Sequence, residues 1–275
     1  MTMMETTQRS KGKWHLAGLG EAISWCRACN ERGIPCIMHP MGEYAKDRQT
    51  AGEGARAYED CISAIHRHGL DASVAIKPSA IGATLQSEAF HGYLEQLLSH
   101  AMAKRVASGI DMEGTPLVHK TLEAALQAAE KGYTFTLTLQ AYLRRTPADI
   151  SRAADNGISV RLVKGAYLGD LHHRDEIAAA FRTQAFLLAR RHPQFAVGTQ
   201  DIDLIRWLQG TIPEARTRVT FGFLKGLGTE SMLGMANSGW KVQEYLPYGN
   251  DNGTYDRRRE IYLAALASAR IRPLV

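Results

Sequence analysis

Ser159-Val160-Arg161-Leu162-Val163-Lys164-Gly165-Ala166-Tyr167 is the stretch that decides the fold. Its first half has the β-branched and aliphatic residues of a buried parallel strand, Val160, Leu162 and Val163, since strands covered on both faces read as near-continuous apolar runs. Yet an arginine stands inside the run and a lysine closes it, and two cations there need a reason. The run breaks at Gly165, where backbone can approach a ligand without a Cβ in the way. Taken alone, the same residues also fit an edge strand whose charges face solvent. What favours the buried reading is that other strand ends in the chain carry polar residues at the same place.

Outward from this strand the chain keeps one rhythm. Short apolar segments at 35–39, 72–77, 109–111, 134–139, 158–163, 195–198, 219–221 and 242–246 predict strands. Amphipathic stretches at 51–68, 87–107, 117–130, 148–154, 175–191, 202–208, 231–237 and 255–269 predict a helix after each. Strict alternation argues a parallel sheet. Eight repeats in 275 residues point to a closed barrel. An open doubly wound sheet would carry a Gly-rich dinucleotide turn after its first strand, and none is present. The expected fold is therefore α/β, a single (β/α)8 TIM-type barrel with a short N-terminal helical arm. Residues 1–35 form the arm and its helix, 16–31, and 36–275 the barrel.

Composition narrows the class. Apolar residues make up 45% and charged ones 22%, as in an ordinary globular protein. The net charge of +5 is compatible with an anionic ligand or an acidic surface. The basic residues are scattered, with no arginine-rich or aromatic-basic ribbon, so no nucleic acid partner is expected. No apolar run is long enough to span a bilayer, and MTMMETTQRSKGKW lacks the apolar core of a signal peptide, which predicts a cytoplasmic protein. Cys26 and Cys29 form a C-x-x-C, but no second pair follows at zinc spacing, so a packing face beside Trp25 is expected.

In such barrels the active site lies at the carboxyl ends of the strands. Those ends supply His39, Lys77, Asp111 with Glu113, Gln140, Arg161 with Lys164, Thr199 with Gln200, Phe221 and Tyr245. The last predicted helix opens with Tyr255-Asp-Arg257-Arg258-Arg259. One mouth would thus gather cations, an acid or two, an amide and several tyrosines. That suits a small anion, most simply a carboxylate held by a forked guanidinium. Each residue has a plainer reading: Lys77 solvated, Asp111 a helix cap with Glu113 in solvent, 257–259 the charged outer face of a terminal helix, the tyrosines core, His172 and His173 solvated. The weight rests on joint position.

These motifs resemble the proline dehydrogenase family, FAD-containing barrels that oxidise L-proline to Δ1-pyrroline-5-carboxylate. R-L-V-K-G-A-Y at 161–167 is similar to the family's signature strand, and L-Q-A-Y-L-R-R-T-P-A-D at 139–149 to the strand and turn before it. Met41-Gly42-Glu43, Val74-Ala-Ile-Lys77, Asp111-Met-Glu113 and Tyr245-Leu-Pro-Tyr248-Gly with Tyr255 and Arg258-Arg259 match in order, over roughly 36–262. The resemblance implies that Arg258 and Arg259 grip the substrate carboxylate, that Lys77 and Asp111 shape the pocket and hold those arginines, and that Tyr245 and Tyr255 pack on the pyrrolidine ring. It implies that Gln140 and Arg161 face the isoalloxazine, Arg161 close to N5. Lys164, Gly165, Ala166 and Tyr167, with Thr199 and Gln200, would meet the rest of FAD. The amine must be neutral to give up hydride, so activity is expected to rise toward alkaline pH. Family members pass electrons to quinone at a membrane face, and the basic balance of the chain permits peripheral contact there.

The chain departs from the family's pattern at Gln200 in place of histidine, Leu168 and Asn252 in place of tryptophan, and Tyr262 in place of glutamate. These positions bear on FAD affinity and on which cyclic imino acid is oxidised. Two other classes fit the fold: a metal-assisted hydrolase or lyase using His39, Asp111, Glu113 and a loop histidine, and an imino-acid-binding relative without flavin.

Overall fold

In the computed structural model, which describes residues 14–85, 88–249, 255–257 and 259–260, eight parallel strands close into a barrel in chain order. They are β1 (Cys36–Pro40), β2 (Ala72–Ile76), β3 (Ala107–Ile110), β4 (Thr136–Gln140), β5 (Ser159–Val163), β6 (Phe195–Gly198), β7 (Val219–Leu224) and β8 (Val242–Tyr248). β8 pairs back onto β1, with Ile37 opposite Tyr245 and His39 opposite Pro247. The organising stretch lies between β4 and β6, Thr138 opposite Arg161 and Arg161 opposite Ala196. A closed barrel has no edge, so the solvent-facing reading of this strand falls.

Strand alternation sorts the two faces. Ser73, Ala75, Gly109, Thr136, Arg161, Ala196, Thr220 and Gln243 line an interior cavity of about 330 Å³, open at the amino-terminal ends of the strands. Barrels of this type are ordinarily filled by bulky branched side chains. Here Ser73, Ala75, Gly109, Thr136, Ala196 and Thr220 put small or hydroxylated residues at many of those positions. The alternate residues, among them Leu137, Leu139, Val160, Leu162 and Val197, are buried against the helices.

The helical layer explains the attachment of the arm. Helix α1 (Leu19–Asn30) packs on β8 and β1. Its Trp25 Nε1 and Cys29 Sγ both donate to Glu244 Oε2, at 2.8 and 3.2 Å. Cys26 and Cys29 are buried, the packing face expected of them. Helix α2 (Arg48–Arg67) is capped by Asp47, whose carboxylate accepts from Thr50 N at 2.7 Å. Helix α3 (Ala89–Lys104) is shorter than the 87–107 expected, because Arg105 adopts φ +56 and ends it before β3 begins. After α4 (Thr115–Glu130), α5 (Thr146–Asp155) and α6 (Arg174–Arg191) comes α7 (Ile202–Thr211), then a single extra turn, α8 (Ala215–Arg218), and α9 (Thr229–Asn237). α8 and the 3-10 turn Pro78–Ile81 were not expected from the sequence; each is too short to show a period. Among the described residues, no helix is long and apolar enough to cross a membrane.

Candidate active site

Asp111 leaves β3 at its carboxyl end, its N–H still in the ladder with Ile76 O at 2.8 Å. Its Oδ1 accepts from Thr138 Oγ1 at 3.0 Å and from Arg161 Nη2, and its Oδ2 accepts from Tyr245 OH at 2.7 Å. Arg161 also donates to Thr138 Oγ1 from Nε and Nη2, at 3.2 and 2.9 Å, and its Cζ stands 5.4 Å from the Tyr245 ring centroid. Burial pushes the Asp111 carboxyl up, but Arg161, His39, the Tyr245 hydroxyl and Lys77 together hold it below the usual carboxylate range. An ionised acid and a fixed guanidinium therefore share the barrel mouth at neutral pH. Burial and Asp111 push the Tyr245 phenol well up, with Tyr255 adding to the rise.

Two neighbours complete this wall. His39 presents Nδ1 to Ala75 O at 3.1 Å. Burial, and then Lys77, push it down to about 4, so it is neutral and Nδ1 donates. Lys77 is not solvated: it is 7% exposed and pairs with Glu43, which also accepts from Tyr167 OH at 3.4 Å. Its backbone N–H donates to Tyr58 OH of α2 at 3.0 Å. Glu113 is fully buried, its two oxygens accepting from Ser79 N and Ser79 Oγ at 2.7 Å each. It caps the 3-10 turn that follows Lys77.

The second wall is built from the ends of β4, β5 and β6. Gln140 donates from Nε2 to Glu113 O at 2.9 Å and accepts at Oε1 from Tyr142 OH at 2.8 Å. Lys164 Nζ reaches Asp201 Oδ2 at 2.5 Å, and Arg174 lies 3.6 Å from the same oxygen. Asp201 also caps α7, accepting from Asp203 N and Leu204 N, and its own N–H donates to Thr199 Oγ1 at 3.1 Å. Gln200 is half-buried in this turn, and Ala166 is exposed. Gly165 adopts φ +128, and a Cβ there would sit 1.6 Å from Tyr142 Cε1. The glycine thus answers to a tyrosine of its own chain.

The third wall follows β8. Arg259 is 5% exposed, lies with Cζ 4.8 Å from the Tyr255 ring centroid, and donates from Nη2 to Tyr255 OH. Its Nη1 is buried and finds no hydrogen-bond partner among the described residues. An orphaned guanidinium nitrogen is costly and unusual in a native interior. Arg258, Asn252 and Tyr262 lie outside the described residues.

The structure brings Asp111, Arg161 and Tyr245 into one hydrogen-bond network with Thr138, while Lys77 pairs separately with Glu43. Thr138, Tyr142 and Asp201 were not singled out as site residues by sequence reasoning. Thr138 lies two residues before Gln140 on the same face of β4, the one signal that pointed to it. The metal-assisted reading loses its ligand set. Asp111 and Glu113 are engaged with protein donors, His172 and His173 are exposed, and no group of three His, Cys, Asp or Glu able to hold a metal occurs among the described residues.

Known proteins resemble this chain in sequence and in fold. Residues 22–255 match a family model described as proline dehydrogenase. The chain is 30% identical over 253 residues to proline dehydrogenase 1 of Bacillus subtilis subsp. natto, covering 86% of this chain and 81% of that one. It is 28% identical over 265 residues to proline dehydrogenase of Deinococcus radiodurans, covering 90% and 86%. Among solved structures, proline utilization A (PutA) from Bdellovibrio bacteriovorus, inactivated by N-propargylglycine, superposes with a TM-score of 0.79 at 19% identity, over 93% of this chain and 33% of that one. That likeness bears on the barrel alone, since this chain spans about a third of the larger protein. With the family model matched over most of its length and a relative 30% identical, the chain belongs to the proline dehydrogenase family.

Proposed function

We propose that this protein oxidises L-proline, or a close cyclic imino acid, to the corresponding Δ1-imine with FAD as cofactor; for proline the product is Δ1-pyrroline-5-carboxylate. The observation that carries the reading is Arg259. A buried guanidinium whose Nη1 has no partner among the described residues, braced on Tyr255, is a ready partner for a carboxylate, and Arg258 would share the grip. The donor set suits FAD: Gln140 on the second wall and Arg161 on the first would hold the isoalloxazine, and Lys164, Gly165, Ala166 and Tyr167, with Thr199 and Gln200, the rest of the cofactor. FAD, when bound, supplies the acceptor for the hydride at N5.

The chain's own residues bind and orient. Arg259 fixes the carboxylate, Tyr245 and Tyr255 cover the ring and exclude water, and Lys77 with Glu43 closes the pocket beside them. Asp111 and Thr138 fix the Arg161 guanidinium in place beforehand, so its positive charge needs no reorganisation when negative charge develops nearby. Electrons would then pass to a quinone, with the chain at a membrane surface.

The test is the absorbance spectrum of freshly purified protein with and without L-proline. A flavin spectrum that bleaches on adding proline supports the proposal. Bleaching only with a hydroxylated or ring-expanded analogue would move the substrate, and a colourless protein that proline still protects from heat would favour the flavin-free binding relative.

A further inference from the structure

Tyr142 stands at the start of the loop that joins β4 to α5, yet most of what it touches belongs to the loop after β5. Its N–H donates to Lys164 O at 3.1 Å, and its carbonyl accepts from Asp170 N and Leu171 N at 3.2 and 3.0 Å. Its ring fills the gap left by two glycines. A Cβ at Gly165 would lie 1.6 Å from Cε1, and one at Gly169 would lie 1.8 Å from Cδ2, so the opposite edges of the ring rest on backbone at both points. The hydroxyl accepts from Tyr167 N at 3.1 Å while donating to Gln140 Oε1 at 2.8 Å. The ring is 3% exposed. Burial pushes the phenol up to about 12, so it keeps the proton it donates.

The consequence falls on Gln140. A side-chain amide has two donors and two acceptor sites, and which end faces a ligand depends on what the other end is tied to. Here Glu113 O takes one N–H and Tyr142 OH takes one carbonyl lone pair, which fixes the flip of the amide. One N–H remains for a ligand. The same hydroxyl fixes the Tyr167 N–H at the end of 164–167, the segment assigned to FAD.

We infer that Tyr142 is a positioning residue for the flavin: its hydroxyl locks the Gln140 amide in one orientation and its ring sets the path of the 164–171 loop. The inference rests on the flavin reading proposed above. It assigns to Tyr142 no contact with the cofactor.

Tyr142→Phe tests it, because the ring stays against both glycines and only the hydroxyl leaves. Apo protein is titrated with FAD and followed by flavin fluorescence and visible spectrum, beside the thermal midpoint of the apo protein. The Phe variant is expected to fold, to bind FAD roughly tenfold or more weakly, and to shift the flavin spectrum, since a half-buried N–H and a buried amide oxygen each lose a partner. Proline KM should hold while kcat falls. Because the hydroxyl acts through Gln140, Tyr142→Phe combined with Gln140→Met should cost less than the two single losses added together. Unchanged FAD affinity and spectrum, fully additive losses, or a Phe variant that no longer folds would each overturn the inference. Wild-type protein that binds no flavin would sink the proposed function instead, so the two failures are told apart.

Discussion

Arg259 and His39 show opposite treatments of charge in one mouth. Arg259 keeps a buried cation with one nitrogen unpaired among the described residues, which favours an arriving carboxylate. Replacing it by methionine keeps the bulk and removes the charge. Losing a charged hydrogen bond is expected to raise KM for proline by about tenfold to a hundredfold, with bound flavin retained. Steady-state kinetics and the flavin spectrum check this, and an unmoved KM would remove Arg259 from the carboxylate site. His39 instead gives up its charge, being held down to about 4 from an ordinary value of 6.5. Between those values the unfolded chain binds a proton that the native state does not, so stability rises with pH across the window and falls as the solution is acidified through it. The span corresponds to about 3 kcal/mol. His39→Gln should flatten the stability curve between pH 4 and 6.5 by that order, as measured by denaturant unfolding; parallel curves would show that the histidine titrates normally.

At the scale of elements, one residue often serves two of them. Asp201 caps α7 and anchors Lys164 from the end of β5. Burial raises its carboxyl, but Lys164, the α7 amides and Arg174 more than reverse this and hold it low. A depressed carboxylate contributes stability above its ordinary range, and that contribution is lost as pH falls through the native value. Asp201→Ala is expected to cost about 1–2 kcal/mol at neutral pH, the usual range for a lost N-cap, and the deficit should shrink on acidification. Denaturant titrations of both proteins at neutral and acid pH check it, and a deficit that persists in acid would mean the cap is not electrostatic. The double duty also marks what a sequence can tell. The β5 segment was readable to within one residue, because β-branched and aliphatic residues flank Arg161 on both sides. β7 was expected at 219–221 and runs on to Leu224, since Gly222 interrupted the pattern that reading relied on. Lys77 and Asp111 were legible as strand-end residues. That Asp111 is buried between Arg161 and Tyr245, or that Tyr142 threads a loop more than twenty residues on, depends on which atoms meet across strands, and no local spacing records it.

For the whole molecule, the barrel divides the work between its ends. The carboxyl ends carry the cations, the acids and the tyrosines. The amino-terminal ends enclose the cavity of about 330 Å³, lined by Ser73, Gly109, Thr136, Ala196 and Thr220. In this architecture the former end carries chemistry and the latter stability. Arg161 connects the two, lining the cavity while its guanidinium is tied to Asp111 above. Gly109 offers a way to test whether the ends are independent. It lies inside β3 without a positive φ, and a Cβ there would meet Thr136 O at 3.4 Å and Val74 O at 3.8 Å, ordinary contacts. An alanine would fill part of the cavity and narrow the conformations open to the unfolded chain, a gain of about 0.4–1 kcal/mol. Gly109→Ala should therefore raise Tm by roughly 1–3 °C, with KM and kcat for proline and the flavin spectrum unchanged. Calorimetry and steady-state kinetics read the two sides separately. A higher Tm with altered kcat would show that filling the lower layer is felt by Arg161, and a lower Tm would show that the cavity holds water bound to its hydroxyls.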